Sequence, residues 1–287
     1  MSHPESIGTL ISLALTEDLG GTGDITSRAF IPESSVSRAR IVAREDCIVS
    51  GLEVAAEVFR RVDPSLEITL RCPEGNPIAK GSSLIDLHGS SRSILSGERT
   101  ALNFLGRLCG IATQARRYAD AVAGTKAVLL DTRKTTPGWR LLEKAAVKHG
   151  GCMNHRMGLF DAVLVKDNHL AALGDLALLP PVIARLRSEH PGLPIEIEAD
   201  TLDQTERLLG MTGIDVILLD NMTPELMKKA VSLRDAKAPN VLLEASGGVT
   251  LGKLPEIAAT GIDRISVGAL THSAPHADLS LEIADAP

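Results

Sequence analysis

The chain has 287 residues, 44% hydrophobic and 23% charged, with a net charge of −6. It is long enough for one large domain or two small ones around a substantial core. The acidic balance gives no overall attraction to nucleic acid or anionic membrane, 2% aromatic content leaves no base-stacking platform, and no apolar run reaches the ~20 residues of a membrane span. Neither nucleic acid nor membrane is therefore expected as a partner.

The N-terminal MSHPESIGTLISLALTEDLGG carries acids and has no basic segment before an apolar core, unlike a signal peptide. Cys47, Cys72, Cys109 and Cys152 are scattered without a C-x-x-C pair, which suits a reducing compartment. The cytoplasm is the expected location.

Up to about residue 95, short strand-like pieces (RARIVA, CIVSGL, LEITLR, SLIDLHG) alternate with turns such as DPS and EGNP, around one helix at 53–62. This predicts a small α+β domain with a mostly antiparallel sheet. A helix at 96–122 follows, with Leu102, Leu105, Leu108, Cys109 and Ala112 as its buried stripe.

Beyond residue 126 come short Val/Ile/Leu-rich runs: AVLLDTRK (127–134), DAVLVKDNH (161–169), IEIEAD (195–200), VILLDN (216–221), VLLEASGG (241–248) and RISVGA (264–269). Apolar runs separated by helix-length intervals are the pattern of βα units, whose parallel strands are buried on both faces. Six units fall short of the eight of a full barrel. The predicted fold class is α/β: a sandwich-like α+β domain at 1–113, with the tail 273–287 packed on it, and an incomplete α/β barrel of six strands at 114–272.

In such folds the carboxyl ends of the strands carry the chemistry. Arg133, Lys134 and Lys166 stand at predicted strand ends inside a net positive stretch that also holds Arg140, Lys144, Lys148 and Arg156. Guanidinium and ammonium groups lining a cleft suit a polyanionic small molecule. Arg140, Lys144 and Lys148 read instead as the solvated face of a helix at 139–149. Glu196 and Glu198 share one side of their strand by alternation, and with Asp220 and Glu244 they suit Mg²⁺ or ribose hydroxyls. Glu196 has the alternative of merely neutralising a lysine. Glycine loops at Ser246-Gly247-Gly248 and Val267-Gly268-Ala269 follow the last two strands, where barrels cradle phosphate. Nucleotide-fold and serine-hydrolase motifs are absent from the sequence, as is H-E-x-x-H. Two further readings stay open: a Schiff-base lyase using Lys166, and an oxyanion-binding protein without turnover.

The segments LTEDLGGTGDITS (15–27), GERTALNFL (97–105), DTRKTTPGWR (131–140), KHGGCMNHRMGL (148–159), VKDNH (165–169), EIEAD (196–200), ILLDNM (217–222), LEASGG (243–248) and ISVGALTHS (265–273) together resemble the quinolinate phosphoribosyltransferase family along nearly the whole chain. One departure is Cys109, where that pattern has serine. The resemblance implies conversion of quinolinate and phosphoribosyl pyrophosphate to nicotinate mononucleotide, pyrophosphate and CO₂ with Mg²⁺, in NAD biosynthesis. It also implies a homodimer with a shared site, and leaves larger assemblies open. Residue by residue, Arg99 would reach the other subunit's substrate. Thr132, Arg133, Lys134, His155, Arg156 and Lys166 would line the quinolinate and pyrophosphate region. Glu198 and Asp220 would hold ribose hydroxyls and Mg²⁺, directly or through water, and Lys134, Lys166, Glu198 and Asp220 would form the catalytic set. Ser246, Gly247, Gly248, Val267, Gly268 and Ala269 would take the 5′-phosphate, and His272 would close that end.

Overall fold

The computed structural model describes residues 3–283, with side chains from residue 6 onward. Residues 1–2 and 284–287, the extremes of the predicted first domain and its tail, lie outside the described residues. The chain forms two compact units, Met1–Arg116 with Thr135–Gly151 and Leu270–Pro287, and Arg117–Lys134 with Cys152–Ala269.

In chain order, the early elements are α1 (His3–Leu19), α2 (Ile25–Phe30), β1 (Val36–Ala43), β2 (Cys47–Ile48), α3 (Leu52–Val62), β3 (Glu67–Leu70), β4 (Pro77–Ile78), β5 (Ser83–Ser90) and α4 (Ser91–Ala121). The later ones are β6 (Val128–Leu130), α5 (Arg140–His149), β7 (Val163–Val165), α6 (Asp167–Leu173), α7 (Leu179–Glu189), β8 (Ile195–Ala199), α8 (Leu202–Leu209), β9 (Val216–Asp220), α9 (Pro224–Lys237), β10 (Leu242–Ser246), α10 (Leu254–Ala258), β11 (Arg264–Ser266), α11 (Ala269–His272) and β12 (Leu279–Ile283). No single helix among the described residues is long and apolar enough to cross a membrane, although the bent pair Asp167–Leu173 and Leu176–Glu189 meets that test together.

The first unit is built on an antiparallel sheet of order β12-β1-β5-β3. Its outer strand β12 comes from the tail and pairs with β1, Ile41 opposite Leu281. Before it reaches that edge, the tail crosses α4 closely. A Cβ on Gly110 would stand 1.9 Å from the Pro275 carbonyl oxygen, so only glycine admits the crossing. The predicted stripe of α4, Leu102, Leu105, Leu108, Cys109 and Ala112, is buried, as are Ile94 and Ile111 of α4 and Phe59 of α3.

Helix α5 belongs to this first unit, whereas the boundary drawn from sequence puts 139–149 with the barrel. The physical reason is a buried hub. Glu143, fully buried on α5, accepts hydrogen bonds from Arg107 of α4 (Nη2, 2.9 Å; Nε, 3.2 Å) and from the Thr136 hydroxyl (2.8 Å) and amide (3.2 Å). Arg107 also donates to the carbonyls of Thr271 and Ala274. Trp139 stacks on Phe104 with ring centroids 4.6 Å apart. The solvated-face reading of α5 is corrected accordingly: Lys148 is exposed and Arg140 partly so, but Lys144 is fully buried.

The second unit is a six-stranded parallel sheet of order β6-β11-β10-β9-β8-β7. This is cyclic chain order broken once, between β6 and β7, as an incomplete barrel requires. Beside that break, residues 152–155 run along β6 through a Leu130–Met153 bridge. Every residue of β8 is buried, Glu196 and Glu198 included, so both faces of the strand are covered. Capping sets helix starts behind these strands. Thr201 and Gln204 form a reciprocal capping box on α8, and Thr223 caps α9 ahead of Pro224.

Candidate active site

Parallel pairing brings most of the predicted residues of the second unit to the carboxyl edge of one sheet. Thr132, Arg133 and Lys134 follow β6, and Lys166 stands between β7 and α6. Glu198 is the penultimate residue of β8, Asp220 ends β9 and Ser246 ends β10, while Val267, Gly268 and Ala269 follow β11. The register places Asp220 directly opposite Ser246.

At this edge the Glu198 carboxylate is buried beneath Lys166, with Oε2 3.5 Å from Nζ. Burial raises the pKa of Glu198, the Lys166 charge opposes the rise, and Asp220 adds to it. Lys166 itself is half exposed and ion-paired, unlike the dry apolar setting of a Schiff-base lysine. Oxygens of Glu198, Asp200 and Asp220 lie within 4.8 Å of one another, and Glu198 Oε2 accepts no hydrogen bond. Hard carboxylate donors with an unsatisfied oxygen fit a hydrated Mg²⁺. Asp200, which the sequence reading leaves out of the site, is brought in by its place just past β8.

The first glycine loop is built by close approach. Gly247 and Gly248 have φ of +88° and +57°, and Asn221 is also left-handed at +52°. The Asn221 amide donates to the Ser246 carbonyl at 3.0 Å. A Cβ on Gly247 would lie 2.2 Å from Asn221 Oδ1, so a side chain there would displace the turn. Gly248 has open space around its Cα, leaving room for a ligand to approach the backbone.

His155 and Arg156 reach the sheet differently, from the loop beside the break. The His155 amide donates to Asp131 Oδ1 at 2.8 Å, where Asp131 is fully buried. The imidazole enters the barrel interior, with Nε2 3.0 Å from Glu196 and 3.4 Å from Glu244. Burial opposes charge on this ring, and the two glutamates beside it favour it. Burial likewise raises the pKa of Glu196, while His155 draws it down. Nδ1 accepts the Arg156 backbone N–H at 2.7 Å. Arg156 donates to the Ala162 carbonyl, and its pKa is lowered by burial and by the Arg133 charge.

A cavity of about 580 Å³ is lined by Val128, Val216, Leu242 and Arg264 at the amino ends of their strands and also by Leu130, Glu196, His155 and Arg156. Arg99 and His272 belong to the first unit. Arg99 is exposed on α4 with no hydrogen bond or ion pair among the described residues, and the exposed His272 ends α11 with Nδ1 2.7 Å from the Ser273 hydroxyl.

A parallel barrel with cations, carboxylates and a glycine turn on its carboxyl edge defines an enzyme of phosphorylated, anionic small molecules. Residues 111–282 match the quinolinate phosphoribosyl transferase C-terminal domain, and 24–109 the N-terminal domain of the same enzyme. The chain belongs to the quinolinate phosphoribosyltransferase family. It is 41% identical over 275 residues to the nicotinate-nucleotide pyrophosphorylase [carboxylating] of Mycobacterium leprae, covering 95% of each chain. It is 40% identical over 298 residues to a chloroplastic enzyme of that name from Oryza sativa, covering 98% of this chain and 79% of the relative. The solved nicotinate-nucleotide pyrophosphorylase of Francisella tularensis superposes with a TM-score of 0.90 at 35% identity, covering 99% of this chain and 98% of that one.

Proposed function

We propose that this protein joins quinolinate to phosphoribosyl pyrophosphate, releasing pyrophosphate and CO₂ and forming nicotinate mononucleotide for NAD biosynthesis. The observation that carries this reading is the carboxyl edge of the parallel sheet. Arg133, Lys134 and Lys166 stand on it with Glu198, Asp220 and the Ser246–Gly248 turn. Quinolinate is a dianion and its co-substrate a polyanion, so both require fixed cations.

Arg133, Arg156 and Lys166 hold the quinolinate carboxylates, and Lys134 faces the pyrophosphate. Asp220 and Glu198 fix the ribose hydroxyls, and Ser246 with the loops at Gly247–Gly248 and Val267–Ala269 takes the 5′-phosphate. The pyridine nitrogen attacks C1 of the ribose as the C1–oxygen bond to pyrophosphate breaks, and basic residues stabilise the departing charge. The nitrogen is then cationic. It accepts the electron pair released when the neighbouring carboxylate leaves as CO₂, and that carbon takes up a proton. The protein orients and desolvates this carboxylate. Glu198 and Asp220, with Asp200 beside them, would hold Mg²⁺, which supplies charge neutralisation for the pyrophosphate.

The functional unit in this reading is a cytoplasmic homodimer in which exposed Arg99 serves the partner's site and His272 closes the phosphate end. A coupled assay with quinolinate, phosphoribosyl pyrophosphate and Mg²⁺ tests the reaction, with nicotinate as the control. Equal yields of CO₂ and mononucleotide from quinolinate alone are expected. No turnover by folded protein would overturn the reading and favour an oxyanion-binding role. Mixing inactive Arg99→Ala with inactive Lys166→Ala should restore activity through mixed dimers. No recovery after proven subunit exchange removes the shared site.

A further inference from the structure

Glu196 and Glu244 are buried acids of the barrel interior, at 4% and 0% exposure, and the reaction scheme leaves both unused. Glu244 accepts no hydrogen bond at either oxygen, and Glu196 accepts none at Oε1. Both converge on one atom, His155 Nε2, at 3.0 and 3.4 Å. The other ring nitrogen accepts the Arg156 amide at 2.7 Å. That contact places the ring's proton on Nε2, between the carboxylates. The cluster is thus filled by a proton, since a metal ion on Nε2 would need the proton on Nδ1, where the Arg156 N–H already points.

We infer that Glu196 and Glu244 are positioning residues: they clamp the His155 ring inside the barrel and thereby fix the turn that presents Arg156 to the quinolinate carboxylates. The chain of contacts is continuous. Glu196 and Glu244 hold Nε2, and Nδ1 holds the Arg156 amide. Asp131 holds the His155 amide from β6, and the Arg156 side chain is anchored on the Ala162 carbonyl. Two acids on separate strands, β8 and β10, fix the ring more tightly than one could. Rotating it about either contact breaks the other.

This inference rests on the proposed reaction, and turnover of quinolinate by the wild-type protein establishes that reaction independently of any variant. The test is a double-mutant cycle of Glu196→Gln, Glu244→Gln and His155→Gln, with KM measured separately for each substrate and thermal melting run on every variant. Each single variant is expected to raise KM for quinolinate about fivefold or more, with KM for phosphoribosyl pyrophosphate within about twofold of wild type. The Glu196→Gln/His155→Gln double variant is expected to lose no more than the worse single, because the residues act as one unit. Glu196→Asp should recover part of the loss. Additive losses, equal changes in both KM values, or unchanged quinolinate KM in melting-competent Gln variants would each overturn the inference.

Discussion

Two fully buried glutamates, one in each unit, are treated in opposite ways. Glu143 of the first unit has both oxygens satisfied, by Arg107 and Thr136. Glu244 of the second unit is equally buried and, among the described residues, has as its partner only the His155 ring, with Nε2 3.4 Å away. The first is scaffolding, in which every donor is spent on holding α4, α5 and the 271–274 segment together. The second faces a histidine in a barrel whose carboxyl edge carries the substrate groups. A buried acid with a complete set of partners reports architecture, and one with few partners calls for another role.

Removing the satisfied acid should produce the largest effect. Glu143→Ala leaves Arg107 and Thr136 without their partner and is expected to destabilise the fold by about 3–5 kcal/mol. Denaturant unfolding measures it, and a loss below about 1 kcal/mol would break the contrast. Rim residues of the second unit should behave in reverse. Arg133→Ala and Lys166→Ala are each expected to lower kcat/KM at least about tenfold, or about 1.4 kcal/mol, with melting temperature nearly unchanged. Wild-type kinetics in both would remove them from the site.

Glu244→Gln keeps the side-chain shape and an oxygen that can accept from His155 Nε2, so its stability cost should stay within about 1 kcal/mol, well below that of Glu143→Ala. At the small end lies the exposed cluster of Arg60 with Glu53 and Glu57. Arg60→Ala should change unfolding free energy by less than about 0.5 kcal/mol.

Much of this contrast was legible in the sequence, but unevenly. The six apolar runs correspond to β6–β11, because strands buried on both faces must be apolar almost throughout. Arg133, Lys166, Glu198 and Asp220 were readable as site candidates because charge at the ends of such strands has no role in packing. Asp200 lies one residue past its strand and carries no local mark. Glu143 and Lys144 look like the polar face of an amphipathic helix, and nothing local reveals that Arg107, far away in sequence, buries that face.

The sequence by itself determined the alternation of elements, the antiparallel character of the first sheet, the parallel character of the second and the family. Each is written in short-range periodicity or contiguous motifs. Tertiary structure alone decided that α5 joins the first unit, that β12 completes the β1 edge and that His155 turns inward between Glu196 and Glu244. These depend on pairings across tens to hundreds of residues. Hydrogen-bond satisfaction and burial, which distinguish Glu143 from Glu244, are properties of what surrounds a side chain in space, and two glutamates are identical until the chain has folded around them.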